Sequence, residues 1–236
     1  MTAKLSFAGN PPAVIVGRAT EIGYRPKMPR QSAPPPPEAP LAIGNGVFVA
    51  VAGPSGVGKD TIINYARARL AGRPQFVFAR RIITRTADAR LEDHDTLSAA
   101  EFAAAREQGR FALVWQAHGL DYALPVSIDI DIDAGKVVVA NISRQLIDEL
   151  KARYEQFLLV VVSAHRDVIA ARLRARGRES DAEIVARLNR IAVEDTVRYE
   201  AIRLENSGPP ERAGDRFVSI LEAAASDTGT DARTTS

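Results

Sequence analysis

Cysteine is absent from this 236-residue sequence, which excludes disulfides and thiolate metal sites and suits a reducing compartment such as the cytoplasm. Histidine occurs only as His94, His118 and His165, spaced too widely to read as a metal-ligand cluster. No apolar run approaches the roughly 18–20 residues that cross a bilayer, so no membrane partner is expected. The N-terminal stretch lacks a continuous apolar segment of the secretory type, and no secretory signal is expected. Lysine is scarce, standing only at Lys4, Lys27, Lys59, Lys136 and Lys151, so arginine supplies most of the basic charge. A net charge of only +2 argues against bulk nucleic-acid binding. Against these absences stands an ordinary globular composition: 46% hydrophobic residues, enough for a packed core.

Nine of the fourteen prolines fall within residues 1–40, including the run Pro34 to Pro37. Such a stretch buries little apolar surface and favours extended, solvated backbone, so residues 1–43 read as a disordered tail. Residues 44–226 read as one folded domain and 227–236 as a short disordered C-terminal tail. Within the domain, strand and helix patterns alternate. Strands are expected at Val47–Ala52, Phe76–Phe78, Phe111–Gln116, Val137–Ala140, Phe157–Val162 and Ile202–Leu204. A helix is expected from Lys59 to a stop at Gly72, with Ile63, Ala66 and Leu70 on one face. Ser98 with Glu101, and Ser180 with Glu183, spell capping boxes that open further helices. Others should follow Ser143, carry Val168, Ile169 and Leu173, and close the domain over Arg216–Ala224. Strong strands separated by helices imply an α/β fold with a parallel sheet flanked by helices, its ligands at the carboxyl ends of the strands.

Directly after the first strand comes Gly53-Pro54-Ser55-Gly56-Val57-Gly58-Lys59-Asp60-Thr61. Gly53, Gly58 and Lys59 satisfy G-x-x-x-x-G-K, the P-loop pattern. Its glycines let several backbone N–H groups face one phosphate, and the following helix adds the positive end of its dipole. Lys59 is placed to reach the β- and γ-phosphates of a nucleotide. ATP and Mg²⁺ are the expected cofactors. The pattern departs at one position: Asp60 stands where Ser or Thr usually holds Mg²⁺, with Thr61 behind it. A carboxylate is a hard oxygen ligand, so Asp60 is the candidate metal contact; a plain acidic residue favouring the helix N-terminus is the competing reading.

No D-x-x-G or N-K-x-D motif of GTPases is present, and the strand at Val137–Ala140 ends in Asn141 instead of a carboxylate. These absences favour a small kinase. Arg80, Arg81 and Arg85 follow the second strand closely, as an anionic acceptor requires. Arg172, Arg174, Arg176 and Arg178 surround Gly177, which suits a lid over a transferring phosphoryl group, with Arg187 on the next helix facing the same cleft. Each arginine has a bland alternative as solvated surface. Trp115 reads as core, and His165 as a helix-opening structural residue.

The chain from about 46 to 225 resembles the guanylate kinase branch of nucleoside-monophosphate kinases. It shares the Gly53–Lys59 loop, Arg81-x-x-x-Arg85, the Arg172-Leu173-x-x-Arg176-Gly177 lid and Arg187-Leu188. Within that branch it is most similar to the ribose 1,5-bisphosphate phosphokinases. The marks are Lys59-Asp60-Thr61, Arg81-x-Ile83-Thr84-Arg85, Glu92-x-His94, Trp115 to Leu120 with Tyr122, Asn141-x-Ser143-Arg144 and Arg176-Gly177-Arg178-Glu179. The resemblance implies a guanylate-kinase-like P-loop fold with a small acceptor-binding region, and transfer of the ATP γ-phosphate to ribose 1,5-bisphosphate. It implies Lys59, Arg176 and Arg187 at the transferring group, and Arg81, Arg85 and Arg144 at the acceptor's phosphates. Asn141, Ser143, His118 and Tyr122 would contact ribose hydroxyls or phosphate. The partner is thus a small phosphorylated sugar. The alternatives are a kinase acting on GMP, or a non-catalytic guanylate-kinase-like binding module, against which the intact Gly58-Lys59 argues. Nothing in the sequence fixes an oligomeric state.

Overall fold

Val47 to Ala52 are apolar at every position because the strand they form is covered on both faces. The computed structural model describes residues 42–84, 94–117, 119–177, 180–194 and 199–231, all within the unit Pro40–Ser236. Of the expected tails at 1–43 and 227–236, residues 1–41 and 232–236 lie outside the described residues, whereas Ile43 opens the first strand and 227–231 continue the last helix. Strand β1 (Ile43–Ala52) lies between β7 (Val137–Asn141) and β8 (Tyr154–Ser163), with β2 (Phe76–Phe78) and β9 (Ile202–Glu205) outside them. Among the described residues this sheet has the order β2-β7-β1-β8-β9, and every pairing is parallel.

Alternate residues of β1 face opposite layers. Val47, Val49 and Val51 pack with Ile62, Ile63 and Ala66 of α1 (Lys59–Arg69) and with Phe217 and Leu221 of α7 (Pro210–Asp231). Phe48 and Ala50 pack with Ile128 and Ile132 of α3 (Ser127–Asp133) and Ile147 and Leu150 of α4 (Ile147–Arg153). Each large side chain buried this way contributes about 1.5–3 kcal/mol.

A second, four-stranded sheet has the order β4-β3-β6-β5. It comprises β3 (Arg81–Thr84), β4 (His94–Leu97), β5 (Phe111–Ala117) and β6 (Leu120–Pro125), with α2 (Ala99–Glu107) between β4 and β5. Pairs β3·β6 and β5·β6 are antiparallel. Trp115 is buried and stacks on Tyr122 with ring centroids 5.4 Å apart, so it is core. Helices α5 (Arg166–Arg176) and α6 (Asp181–Glu194) pack through Ile169, Leu173, Ile184 and Leu188. Both capping boxes form. Ser98 Oγ accepts from the Glu101 N–H at 3.3 Å and Ser180 Oγ from the Glu183 N–H at 3.4 Å, with the reciprocal carboxylate bonds at 2.8 and 2.7 Å.

The expected final helix over 216–224 is too short: α7 starts at Pro210 and continues to Asp231. Proline suits a first helical turn because its missing N–H has no partner there anyway. Gly214 inside α7 is not a stop. A Cβ on it would lie 2.4 Å from Cδ1 of the Tyr65 ring on α1, so only glycine lets the helices approach this closely. Alanine normally strengthens a helix interior by about 0.5–1 kcal/mol relative to glycine. Here the sign reverses: Gly214→Ala is expected to destabilise the protein by about 1–2 kcal/mol through overpacking. Thermal denaturation reads this as a fall in melting temperature of about 2–8 °C.

Candidate functional site

The turn after β1 is shaped by glycines that no other residue replaces. Gly53, Gly56 and Gly58 have φ of +147°, +84° and +94°. A Cβ on Gly58 would lie 2.5 Å from Asn206 Nδ2. Asn206 is buried just past β9, and its Nδ2 donates to the Val57 carbonyl at 2.8 Å. Arg172 Nη1 of α5 donates to the same oxygen at 3.1 Å. Two donors from separate elements thus anchor one loop carbonyl. Asn206 Oδ1 is buried and has no hydrogen-bond partner, an open acceptor beside the loop. Asn206 has no distinguishing signal in the sequence, where it follows the strand Ile-Arg-Leu-Glu and stands between Glu205 and Ser207.

Lys59 Nζ donates to the carbonyls of Gly53 at 2.8 Å and Pro54 at 3.0 Å, so the ammonium folds back over the loop. Desolvation lowers its pKa to about 8. The Asp60 carboxylate opposes that shift, while the guanidinium groups of Arg81, Arg144 and Arg176 add to it. Those three arginines come from β3, from the 3₁₀ turn Arg144–Leu146 and from the end of α5. Their three charges act on one ammonium from separate elements.

Asp60 lies on the first turn of α1. Its Oδ1 accepts from Asn141 Nδ2 at 2.7 Å and stands 3.6 Å from Arg81 Nη2. Asn141 ends β7, paired with Val51 two residues before the loop begins. Ser143 precedes the 3₁₀ turn and makes no capping bond. Thr61 is exposed beside Asp60. On α6, Arg187 Nη1 donates to Ser55 Oγ at 3.0 Å, so this helix already touches the loop.

The arginine groups are not uniform. Arg80 is exposed and pairs with Asp95 of β4 at 3.2 Å. Arg174 pairs with Asp181 at 3.0 Å across the α5–α6 turn, and Arg172 anchors the loop. Among the described lid arginines, Arg176 is the one whose charge is felt at Lys59. Arg85, Glu92, Asp93, His118, Arg178 and Glu179 lie outside the described residues. Tyr122 stays half-buried in the second sheet against Trp115. A chain of hydrogen bonds ties that sheet to the 3₁₀ turn that follows β7. Thr84 Oγ1 accepts from the Asp121 N–H at 2.8 Å, Gln116 Nε2 donates to Asp121 Oδ1 at 2.7 Å, and Gln145 Nε2 donates to the Gln116 carbonyl at 3.1 Å. Asp121, Gln116 and Gln145 carry no motif that reveals this task beforehand.

Among the described residues no three or more His, Cys, Asp or Glu side chains gather as a metal site. One half-exposed carboxylate beside the loop lysine fits a magnesium ion held mainly by nucleotide phosphates and water. Nor is any described helix long and apolar enough to cross a membrane. A cavity of about 600 Å³ lies at the other end of the main sheet, lined by Val47, Phe157, Leu158, Ile202, Ile220 and Ala224 among others. It touches none of the residues around Lys59, so size alone does not mark the site here.

No family model matches the chain. Ribose 1,5-bisphosphate phosphokinase PhnN of Chelativorans sp. (strain BNC1) is 48% identical over 189 residues, spanning 80% of this chain and 90% of the relative. The protein of that name from Brucella abortus biovar 1 (strain 9-941) is 51% identical over 163 residues, spanning 69% and 85%. The one from Agrobacterium fabrum is 41% identical over 178 residues, spanning 75% and 97%. Among solved structures, guanylate kinase from Anaplasma phagocytophilum superposes with a TM-score of 0.54 at 19% identity, over 75% of this chain and 85% of that one. That likeness establishes the P-loop kinase fold.

Proposed function

This chain belongs to the ribose 1,5-bisphosphate phosphokinase family, and from that premise we propose that it transfers the ATP γ-phosphate to the 1-phosphate of α-D-ribose 1,5-bisphosphate. The products are ADP and 5-phospho-α-D-ribose 1-diphosphate. A soluble cytoplasmic enzyme with a small phosphorylated-sugar substrate follows from the same reading. The observation that carries it is the loop lysine lying over the Gly53 and Pro54 carbonyls, with Arg81 3.6 Å from the neighbouring Asp60 and Arg187 bonded to Ser55 of the loop.

An oxygen of the acceptor's 1-phosphate attacks the γ-phosphorus, and the bond from that phosphorus to the bridging oxygen breaks, leaving ADP. The attacking oxygen is already anionic at neutral pH, so little general-base help is needed. The work falls to alignment and charge neutralisation. Lys59, Arg176 and Arg187 follow the transferring group. The loop Gly53–Thr61 holds the donor's phosphates with its backbone N–H groups. Arg81, Arg144 and Arg85 take the acceptor's phosphates; Asn141, Ser143, Tyr122 and His118 are assigned to its ribose or phosphate oxygens. Asp60, with Thr61 beside it, would hold magnesium directly or through water. Magnesium, when bound with the nucleotide, neutralises charge on the β- and γ-phosphates.

Lys59 gives this reading a pH signature. Its folded pKa of about 8 lies below the ordinary 10.5. The cost of burying its charge is therefore fully present below pH 8, and is relieved as pH rises from about 8 to 10.5, so this group makes the empty protein more stable across that window. Nucleotide phosphates favour the charged form and reverse the shift. Lys59 is therefore expected to take up protons on nucleotide binding at about pH 9 and almost none at about pH 6.5. Calorimetry in buffers of different ionisation enthalpy measures the uptake, and Lys59→Met should abolish it.

The function itself is tested by ADP release from ATP and Mg²⁺ with ribose 1,5-bisphosphate or GMP as acceptor. Turnover with the sugar bisphosphate is expected. Turnover with GMP alone overturns the reading, and turnover with neither favours a binding module.

A further inference from the structure

We infer that Asp60 couples the two substrate sites by competing with the acceptor's phosphate for Arg81. The inference rests on the reading above, in which Arg81 receives an acceptor phosphate. Asp60 belongs to the nucleotide loop's helix and Arg81 to the second sheet, yet Asp60 Oδ1 and Arg81 Nη2 stand 3.6 Å apart. The Arg81 side chain is only 16% exposed, whereas that of Asp60 is 50% exposed. A guanidinium so withdrawn from water needs a counter-charge, and Asp60 is the carboxylate the structure places against it. A separation of 3.6 Å exceeds a charge-assisted hydrogen bond, so the pair holds Arg81 without saturating its donors.

A phosphate offers Arg81 a bidentate partner, but it must first displace Asp60 from that guanidinium. The same carboxylate is a hard oxygen ligand on the residue next to the loop lysine. When Asp60 turns its charge to a cation carried by the nucleotide, Arg81 loses a competitor for its fork. Asn141 serves as the positioning residue. Its Nδ2 bond at 2.7 Å keeps Asp60 between the two sites, and an amide does so without adding a second negative charge beside the acceptor. Donor binding therefore tightens acceptor binding, and linkage requires the converse.

The test titrates ribose 1,5-bisphosphate calorimetrically into the full chain, in EDTA and again with Mg²⁺ and a non-hydrolysable ATP analogue. In the native protein the loaded state should bind the acceptor at least about fivefold more tightly. Asp60→Asn keeps an oxygen for Asn141 and removes the charge. In EDTA it should bind the acceptor about fivefold more tightly than the native protein, and the loaded state should add little further. In an Arg81→Ala background, Asp60→Asn should change nothing, which separates competition at Arg81 from a general change in potential. Equal EDTA affinities for native protein and Asp60→Asn overturn the coupling while leaving the function intact. So does a gain that persists without Arg81. Binding of GMP and not the sugar bisphosphate overturns the functional reading instead, and the coupling is then decided by the same titrations with GMP.

Discussion

Lys59→Met is expected to lower kcat at saturating substrates by about a thousandfold while the protein stays folded. Methionine keeps most of the aliphatic stem and removes the ammonium. Nζ is the cation seated over the loop, bonded to the Gly53 and Pro54 carbonyls and poised to exchange them for phosphate oxygens. Removing one preorganised donor from a developing charge typically costs about 10²–10³ in rate. Lys59 combines that donor role with a full positive charge, which puts the loss at the upper end. Stability should change by less than about 1 kcal/mol, because release from burying a charge offsets two lost hydrogen bonds. ADP release measures the first quantity and thermal denaturation the second. A kcat within tenfold of native would remove Lys59 from the transferring phosphoryl group.

Arg81→Ala should separate the two substrates. Arg81 stands at the start of β3, outside the nucleotide loop, with its guanidinium near both Asp60 and Lys59. Hydrogen bonds to charged groups are worth about 1.5–3 kcal/mol, so loss of the fork should raise the acceptor KM by about a hundredfold. The ATP KM should move by less than about threefold, since Lys59 and the loop backbone still hold the donor's phosphates. Arg81→Lys should recover only part of the loss, because an ammonium cannot span two phosphate oxygens as a planar fork does. Equal losses on both substrates would place Arg81 at the nucleotide instead.

What was legible in the sequence follows from how local each signal is. Strands β1, β7 and β8 lie in the middle of a parallel sheet, so their apolar runs are continuous and mark them directly. The phosphate loop is contiguous, so spacing alone identified it. The second sheet was mostly hidden. Strands β3 and β4 are four residues each, and their pairing depends on distant partners. Helix α3 reads Ser-Ile-Asp-Ile-Asp-Ile-Asp, the alternation of a strand, yet it folds as a helix that buries Ile128 and Ile132 and leaves Ile130 exposed. Packing against β1 and β7 decides that outcome over the local pattern. Residues brought to the loop from afar, such as Asn206 and Arg172, could not be placed there by spacing. Asp60 was visible as a departure from the loop pattern, but its link to Asn141 and Arg81 needed the fold.

The position of the transferred phosphorus tests the central claim most directly. ATP carrying ¹⁸O on its γ-phosphate is supplied with Mg²⁺, ribose 1,5-bisphosphate and GMP together, and the products are read by ³¹P NMR. The account predicts that the isotope shift lands on the outer phosphorus of a diphosphate at ribose carbon 1, with GMP unchanged. Label in GDP with the sugar bisphosphate left intact would contradict it.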